Sequence, residues 1–327
     1  MSKQANSIAV NSFDLNHNNY HLLRPSFAEA IVNPFLVGLH LAEVDSSNTY
    51  KFHTNKKILE IAAGTGKFTK NLVENGWDNS GDVKDNLIIV EPSAGMLESF
   101  KNNFPQIKSE NTYQASSYHI PLEDNSVDSV IIAQGFHWFA DSTSLKEINR
   151  VLKPSGTFGL IWNADYPTRS QAAETENVDF INGGTIYFDQ LGIADSSPVG
   201  VFSRFFDKQP WSKKVCELIY TYDKDVPQYR KGDWREALSD NQEYFRKISQ
   251  ELFLLYDTLI PRKDVYKYWE TRSYITNLSS EEKSKIKHRV EEILENNVVP
   301  ESVPYESSGD KRLLKPMATH AVVLHVK

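Results

Sequence analysis

Cysteine is almost missing from this chain of 327 residues. Cys216 is the only one, which excludes an internal disulfide framework and a cysteine-built zinc site and fits a reducing, intracellular setting. Long apolar runs are missing too: nothing approaches the roughly 18 residues that a membrane span needs. The opening stretch MSKQANSIAVNSFDLNHNNY is polar and has no secretory h-region. There is no excess of positive charge. With 36 basic against 43 acidic residues the formal charge is −7, which argues against nucleic acid as the main partner. Internal repeats and low-complexity tracts are absent as well. What is present, 40% hydrophobic and 24% charged residues, is the composition of a folded globular protein. The length suits one core with insertions better than two large domains.

From residue 56 to 162 short apolar runs alternate with segments of helical period, the pattern of a parallel α/β sheet. KKILEIAA (56–63), NLIIVEP (86–92), SVDSVIIAQ (126–134) and TFGLIWN (157–163) read as strands, with the short NTYQA (111–115) as a further one. Phe68, Leu72 and Val73 mark a helix ending near Gly76. Ser93 caps a helix whose apolar face is Met96, Leu97, Phe100 and Phe104. SLKEINRVL (144–152) reads as a helix stopped by KPSG. After Asn163 the rhythm is lost until ELFLLYDTL (251–259), a strand. SSEEKSKIKHRVEEIL (279–294) is a helix with a Ser279–Glu282 capping box, and MATHAVVLHVK (317–327) is a last strand.

The chemistry concentrates at ILEIAAGTGKFT (58–69), where a strand reaches a carboxylate and breaks into a Gly-x-Gly turn at the usual ligand position of such a sheet. A dinucleotide site needs a third glycine, and that position is Thr69; a pyrophosphate beside Glu60 would also be repelled. S-adenosylmethionine has the opposite electrostatics, a sulfonium and an ammonium without phosphate, so a carboxylate near this turn attracts it. Glu91, which ends the second strand, suits the two ribose hydroxyls of either ligand.

These residues resemble a family, the class I S-adenosylmethionine-dependent methyltransferases, in the branch with small-molecule acceptors such as trans-aconitate methyltransferase. The resemblance covers most of the chain and is strongest over 56–162. The family's first motif, acid-x-Gly-x-Gly-x-Gly, corresponds to Glu60-Ile61-Ala62-Ala63-Gly64-Thr65-Gly66, with Ala62 in place of the first glycine. In VEPSAGML (90–97) the resemblance implies that Glu91, followed by Pro92, holds the ribose and that Met96 lies under the adenine. Ser117-Tyr118 aligns with a pair that is often Ala-Glu in the family, so the usual acid is missing there. AQGFHWF (133–139) matches the segment after the fourth strand, with Gln134 as a cofactor contact. NNYHLLRPSF (18–27) resembles an N-terminal Tyr-x-x-x-Arg-Pro lid in which Tyr20 and Arg24 fold over the site.

Methyl transfer is an in-line displacement that depends chiefly on holding nucleophile, methyl and sulfur collinear. A carboxylate acceptor needs no base, whereas a hydroxyl would benefit from one, and His137 is the candidate. Arg24 suits a carboxylate of ligand or substrate. Trp138, Trp162, Asn163, Arg272 and Tyr274 are expected in the acceptor pocket, and Tyr229 and Trp234 as wall or as insertion core. His17 and His21 have metal-ligand spacing but no third ligand, so no metal is expected.

The expected fold is an α/β, Rossmann-like doubly wound sheet with mainly helical cap insertions. The expected divisions are an N-terminal lid and helix (1–55), a cofactor-binding core (56–163) and a cap insertion (164–243). Residues 244–327 then supply the last two core strands and a second, helical insertion at about 262–305. The expected activity is S-adenosylmethionine-dependent methylation of a small-molecule oxygen, a carboxylate before a hydroxyl, by a cytoplasmic protein with no nucleic-acid or membrane partner. The alternatives are a cofactor-binding protein without turnover that acts through a partner, a protein or RNA methyltransferase, and a nicotinamide dehydrogenase, which Glu60 and Thr69 disfavour.

Overall fold

A computed structural model describes residues 3–4, 24–79, 85–166, 178–224, 226–303 and 311–327. Tyr20, His17 and His21 lie outside the described residues. The strands are β1 (Ala42–Val44), β2 (Tyr50–Phe52), β3 (Ile58–Ile61), β4 (Leu87–Val90), β5 (Thr112–Tyr113), β6 (Val127–Ala133), β7 (Leu152–Ala164), β8 (Val178–Asn182), β9 (Gln250–Pro261) and β10 (Arg312–His325). Strands β1 and β2 form a small antiparallel pair; the other eight form one sheet in the order β5-β4-β3-β6-β7-β10-β9-β8. Strands β5 to β7 run parallel, and β10 enters antiparallel between β7 and β9. Both β3 and β4 are buried at every position, as expected for parallel strands covered on both faces.

Helices Glu29–Gly38, Thr69–Glu74 and Ala94–Asn103 cover one face, where Phe35, Leu72 and Phe100 join a core with Ile58, Leu87 and Ile131. Helix Ser142–Val151 and helix Asp233–Asp240 cover the other, through Leu145, Ile148 and Trp234. Caps follow the sequence: Ser93 Oγ accepts from the Met96 amide, and Ser279 Oγ accepts from the Glu282 amide to start helix Ser280–Asn297. The arrangement is the doubly wound α/β sheet expected.

Helix Ser142–Val151 stops before KPSG, as expected, with Leu152 extended; Lys153–Gly156 belong to β7, where the register against β6 shifts. Two local expectations are corrected. The stretch after Asn163 is not without a strand, since β8 adds a parallel edge to β9. Finally, the strands expected at 251–259 and 317–327 are longer than their apolar runs, and they pair from Arg312 against Pro261 to Val323 against Gln250.

Between β7 and β9 lie helices Pro198–Phe206, Pro210–Ile219 and Asp233–Asp240; between β9 and β10 lie Val265–Glu270, Ser273–Thr276 and Ser280–Asn297. Trp211, Val215, Trp269, Ile275, Ile286 and Val290 from both groups share a separate apolar core. Burying each such side chain stabilises by about 1.5–3 kcal/mol, enough for these two insertions to pack as one layer beside the sheet's open end. No helix among the described residues is long and apolar enough to cross a membrane.

Candidate active site

Two cavities lie at the C-terminal ends of the parallel strands and share a wall. The first is a cleft over the turn after β3. Ala62, Gly64, Thr65, Glu91, Pro92 and Met96 line it, facing Ser117, Tyr118, Gln134 and Trp138. The second lies beneath the insertions and is lined by Arg24, Gln134, His137, Trp138 and Asn163, with Tyr229, Arg272 and Tyr274 opposite. Phe27, Lys67, Gln134 and Trp138 belong to both walls.

The cleft is built on unusual backbone. Gly64 and Gly66 have positive φ, and so do Ala62 (56°) and Gln134 (62°), which directly follow the adjacent strands β3 and β6. A left-handed non-glycine residue costs about 1–2 kcal/mol. Two of them on one cleft wall are the kind of strain that clusters at ligand sites. Glu91, at the end of β4, fastens the turn: its Oε2 accepts from the Gly64 amide at 2.8 Å and its Oε1 from the Ser93 amide at 2.9 Å. Tyr118 Oη donates to Asp141 Oδ2 at 2.9 Å, fixing the phenol on the cleft rim. The sequence of surfaces, a carboxylate beside the glycine turn, Met96 and Phe139 along the side and an ammonium on Lys67, fits the diol, the purine and the amino-acid tail of S-adenosylmethionine.

Three sequence expectations do not hold in this geometry. Glu60 does not face the cleft. It is fully buried behind the turn, with Oε2 accepting from Thr69 Oγ1 at 2.7 Å and Oε1 unpartnered. Burial pushes its pKa up to about 8, against the Thr69 hydrogen bond and with a further rise from Glu91, so it is largely a neutral acid near pH 7 rather than a surface charge that attracts a sulfonium. Gly66 is likewise not on the wall: an added Cβ would meet Phe104 Cε2 at 2.2 Å, so this glycine permits close packing with helix Ala94–Asn103. Trp162 lies behind the second cavity, its ring 4.8 Å from Tyr229 and 4.7 Å from Trp234. Successive strand residues point to opposite faces, and Asn163 takes the cavity side.

The second cavity is cationic. Arg24, Lys67, Arg230 and Arg272 line it, against Asp165 as the one carboxylate. Asp165, just past β7 and fully buried, accepts hydrogen bonds from Tyr268 Oη, Arg272 and Lys315, with Arg24 Nη1 at 4.0 Å. Arg230 donates from Nε to Asp223 at 2.9 Å. His137 is in the wall, with Nδ1 buried and unpartnered. Burial, with Arg272 adding, pulls its pKa down to about 3, which leaves a neutral imidazole of low basicity.

The chain from Arg24 to Phe27 crosses between the cavities and is held by its carbonyls. Lys67 Nζ donates to that of Arg24 at 2.7 Å, Asn163 Nδ2 to those of Pro25 and Ser26 at 3.2 and 3.3 Å, and Asn71 Nδ2 to that of Phe27 at 3.1 Å. Lys67, Phe27, Asp165 and Tyr268 were not singled out from sequence. Lys67 directly follows the turn and Asp165 lies just beyond a strand end, two positions that carry a signal; Phe27 and Tyr268 carry none. Among the described residues, no group of three or more His, Cys, Asp or Glu is placed to hold a metal ion.

Residues 59–160 match the family described as "Methyltransferase domain". An uncharacterised methyltransferase-like protein of Schizosaccharomyces pombe is 30% identical over 236 residues, 72% of either chain. An uncharacterised methyltransferase of Mycobacterium tuberculosis is 38% identical over 108 residues, 33% of this chain and 40% of that one. A solved S-adenosylmethionine-dependent methyltransferase of Aquifex aeolicus aligns with 49% of this chain and 76% of its own, at 20% identity and a TM-score of 0.35.

Proposed function

The chain belongs to the S-adenosylmethionine-dependent methyltransferases, and from that premise we propose that it methylates an oxygen of a small anionic acceptor, a carboxylate, inside the cationic cavity. The observation that carries this reading is the wall with four cationic side chains and one carboxylate, Asp165. A ligand carboxylate entering there meets a wall that includes Arg24, Arg230 and Arg272, groups whose planar N–H fork suits carboxylate oxygens. This is also the reading that favours the small-molecule branch of the family, trans-aconitate methyltransferase-like, over a peptide or RNA acceptor. The cavity is lined by Tyr220 and Gln228–Arg230 from one insertion and by Tyr268 and Arg272–Tyr274 from the other, and a concave pocket suits a small molecule.

The bound cofactor supplies an electrophilic methyl group. The protein's part is placement and exclusion of water. Glu91 and the turn at Gly64 hold the nucleoside end, and Trp138 and Gln134 at the shared wall set the line along which acceptor oxygen and methyl meet. Tyr268 and the Arg24–Phe27 segment close the junction, and a dry junction favours a step in which charge is dispersed. An ionised carboxylate needs no proton removed. That agrees with a His137 whose pKa near 3 makes it a weak base.

The test is a calorimetric titration with S-adenosylmethionine, S-adenosylhomocysteine and NAD in parallel, followed by transfer of a labelled methyl to a panel of carboxylic acids and their hydroxyl analogues. Labelling of acids, lost in Arg272→Met while cofactor affinity is kept, supports the reading. Labelling of the neutral hydroxyl analogues alone would sink it.

A further inference from the structure

We infer that Lys67 is a cofactor-binding residue, the anchor for the α-carboxylate at the methionyl end of S-adenosylmethionine. This rests on the reading of the cleft as the cofactor site.

Lys67 is the single charged side chain among the four that line both cavities. The methyl has to pass from cleft to cavity across that shared wall, so the sulfur it leaves lies there. The amino-acid tail on the sulfur ends a few bonds away. With Glu91 taking the nucleoside diol at the glycine turn, the tail falls on the side of the cleft where Lys67 stands.

Its charge is unmatched in a way that its neighbours' charges are not. Arg272 and Lys315 pair with Asp165, with Arg24 at 4.0 Å, and Arg230 pairs with Asp223. The Lys67 ammonium donates to the Arg24 carbonyl at 2.7 Å, and among the described residues no carboxylate stands within ion-pair distance of it. An ammonium has three donors, and a partly buried cation is costly without a counter-charge. Burial holds its pKa below the usual lysine range, and Lys70 and Arg24 lower it further. A ligand carboxylate at this point removes that penalty. The hydrogen bond to Arg24 also means that the group gripping the tail is tied to the segment crossing the junction.

The experiment compares two probes on the full chain by calorimetry. S-adenosylhomocysteine carries the amino-acid tail; 5′-methylthioadenosine keeps the nucleoside and thioether but lacks it. For Lys67→Met, affinity for S-adenosylhomocysteine is expected to fall about tenfold or more, as for loss of a charge-assisted hydrogen bond, while that for 5′-methylthioadenosine stays within about twofold. Lys67→Arg, which keeps the charge, is expected to recover most of the loss. An equal fall on both probes would make Lys67 a support for the Arg24–Phe27 segment and overturn the inference, as would no fall on either. A wild-type chain that binds neither probe overturns the reading of the cleft itself, and the inference with it.

Discussion

Glu91 and Gly64 are joined directly, side chain to backbone, at 2.8 Å. The acid that ends one strand therefore shapes the glycine turn that ends its neighbour. Removing the carboxylate both deletes a ligand contact and frees the turn. Glu91→Ala is expected to weaken S-adenosylhomocysteine binding by about 1.5–3 kcal/mol, the range for a hydrogen bond to a charged group. Calorimetry checks this, and unchanged affinity would count against the cleft as the cofactor site.

Glu60 governs stability rather than ligand charge. Its folded pKa near 8 lies above the ordinary 4.5, so between those values the folded chain holds a proton that the unfolded chain has lost. Stability then falls as pH rises through that window, by at most about 1.36 kcal/mol per pH unit; the contribution is complete below 4.5 and gone above 8. Glu60→Gln, uncharged at every pH, is expected to flatten this slope. Urea midpoints measured from pH 5 to 8 for both chains test it, and parallel profiles would refute it.

The two glycine-motif positions make opposite predictions. At Ala62 the left-handed φ of 56° favours glycine, and Ala62→Gly is expected to stabilise by up to about 1 kcal/mol, the relieved strain being partly offset by unfolded-chain entropy. At Gly66 an added methyl meets Phe104, and Gly66→Ala is expected to destabilise by about 2 kcal/mol or more through overpacking and backbone strain together. Thermal unfolding of both variants separates the cases by sign.

For His137 the expected result is an absence of titration. With its pKa held near 3, the ring is neutral throughout pH 5–8. Rates with a carboxylic-acid acceptor should show no inflection from it, and His137→Asn should keep the shape of the profile. A basic limb that disappears in the variant would identify it as a base.

What could be read in advance follows from what each pattern encodes. Apolar runs ending in acids and glycines located β3, β4 and the cleft, because those features are local. The face taken by Glu60 was not legible: β3 is buried on both sides, so alternation carries no direction there. Strand β8 is hidden because VDFIN is short and does not alternate polar with apolar residues, and it gains its place by pairing with β9, some 70 residues on. Asp165 carries no local signal of its pairing, since its partners, Tyr268, Arg272 and Lys315, come from distant stretches of chain. Trp162 and Asn163 are strand neighbours and point to opposite faces, so only Asn163 of the two lines the pocket.

The place of β10 in the sheet has a consequence for biosynthesis. Strands β8 and β9 reach the rest of the sheet only through β10, which sits between β9 and β7. While a ribosome is still translating residues 262–311, β7 has its outer edge bare and the β8–β9 pair has no seat. Open strand edges are where chains stick to one another. Until Arg312–His325 pairs with both neighbours, β7 and β9 each present an open edge to other chains.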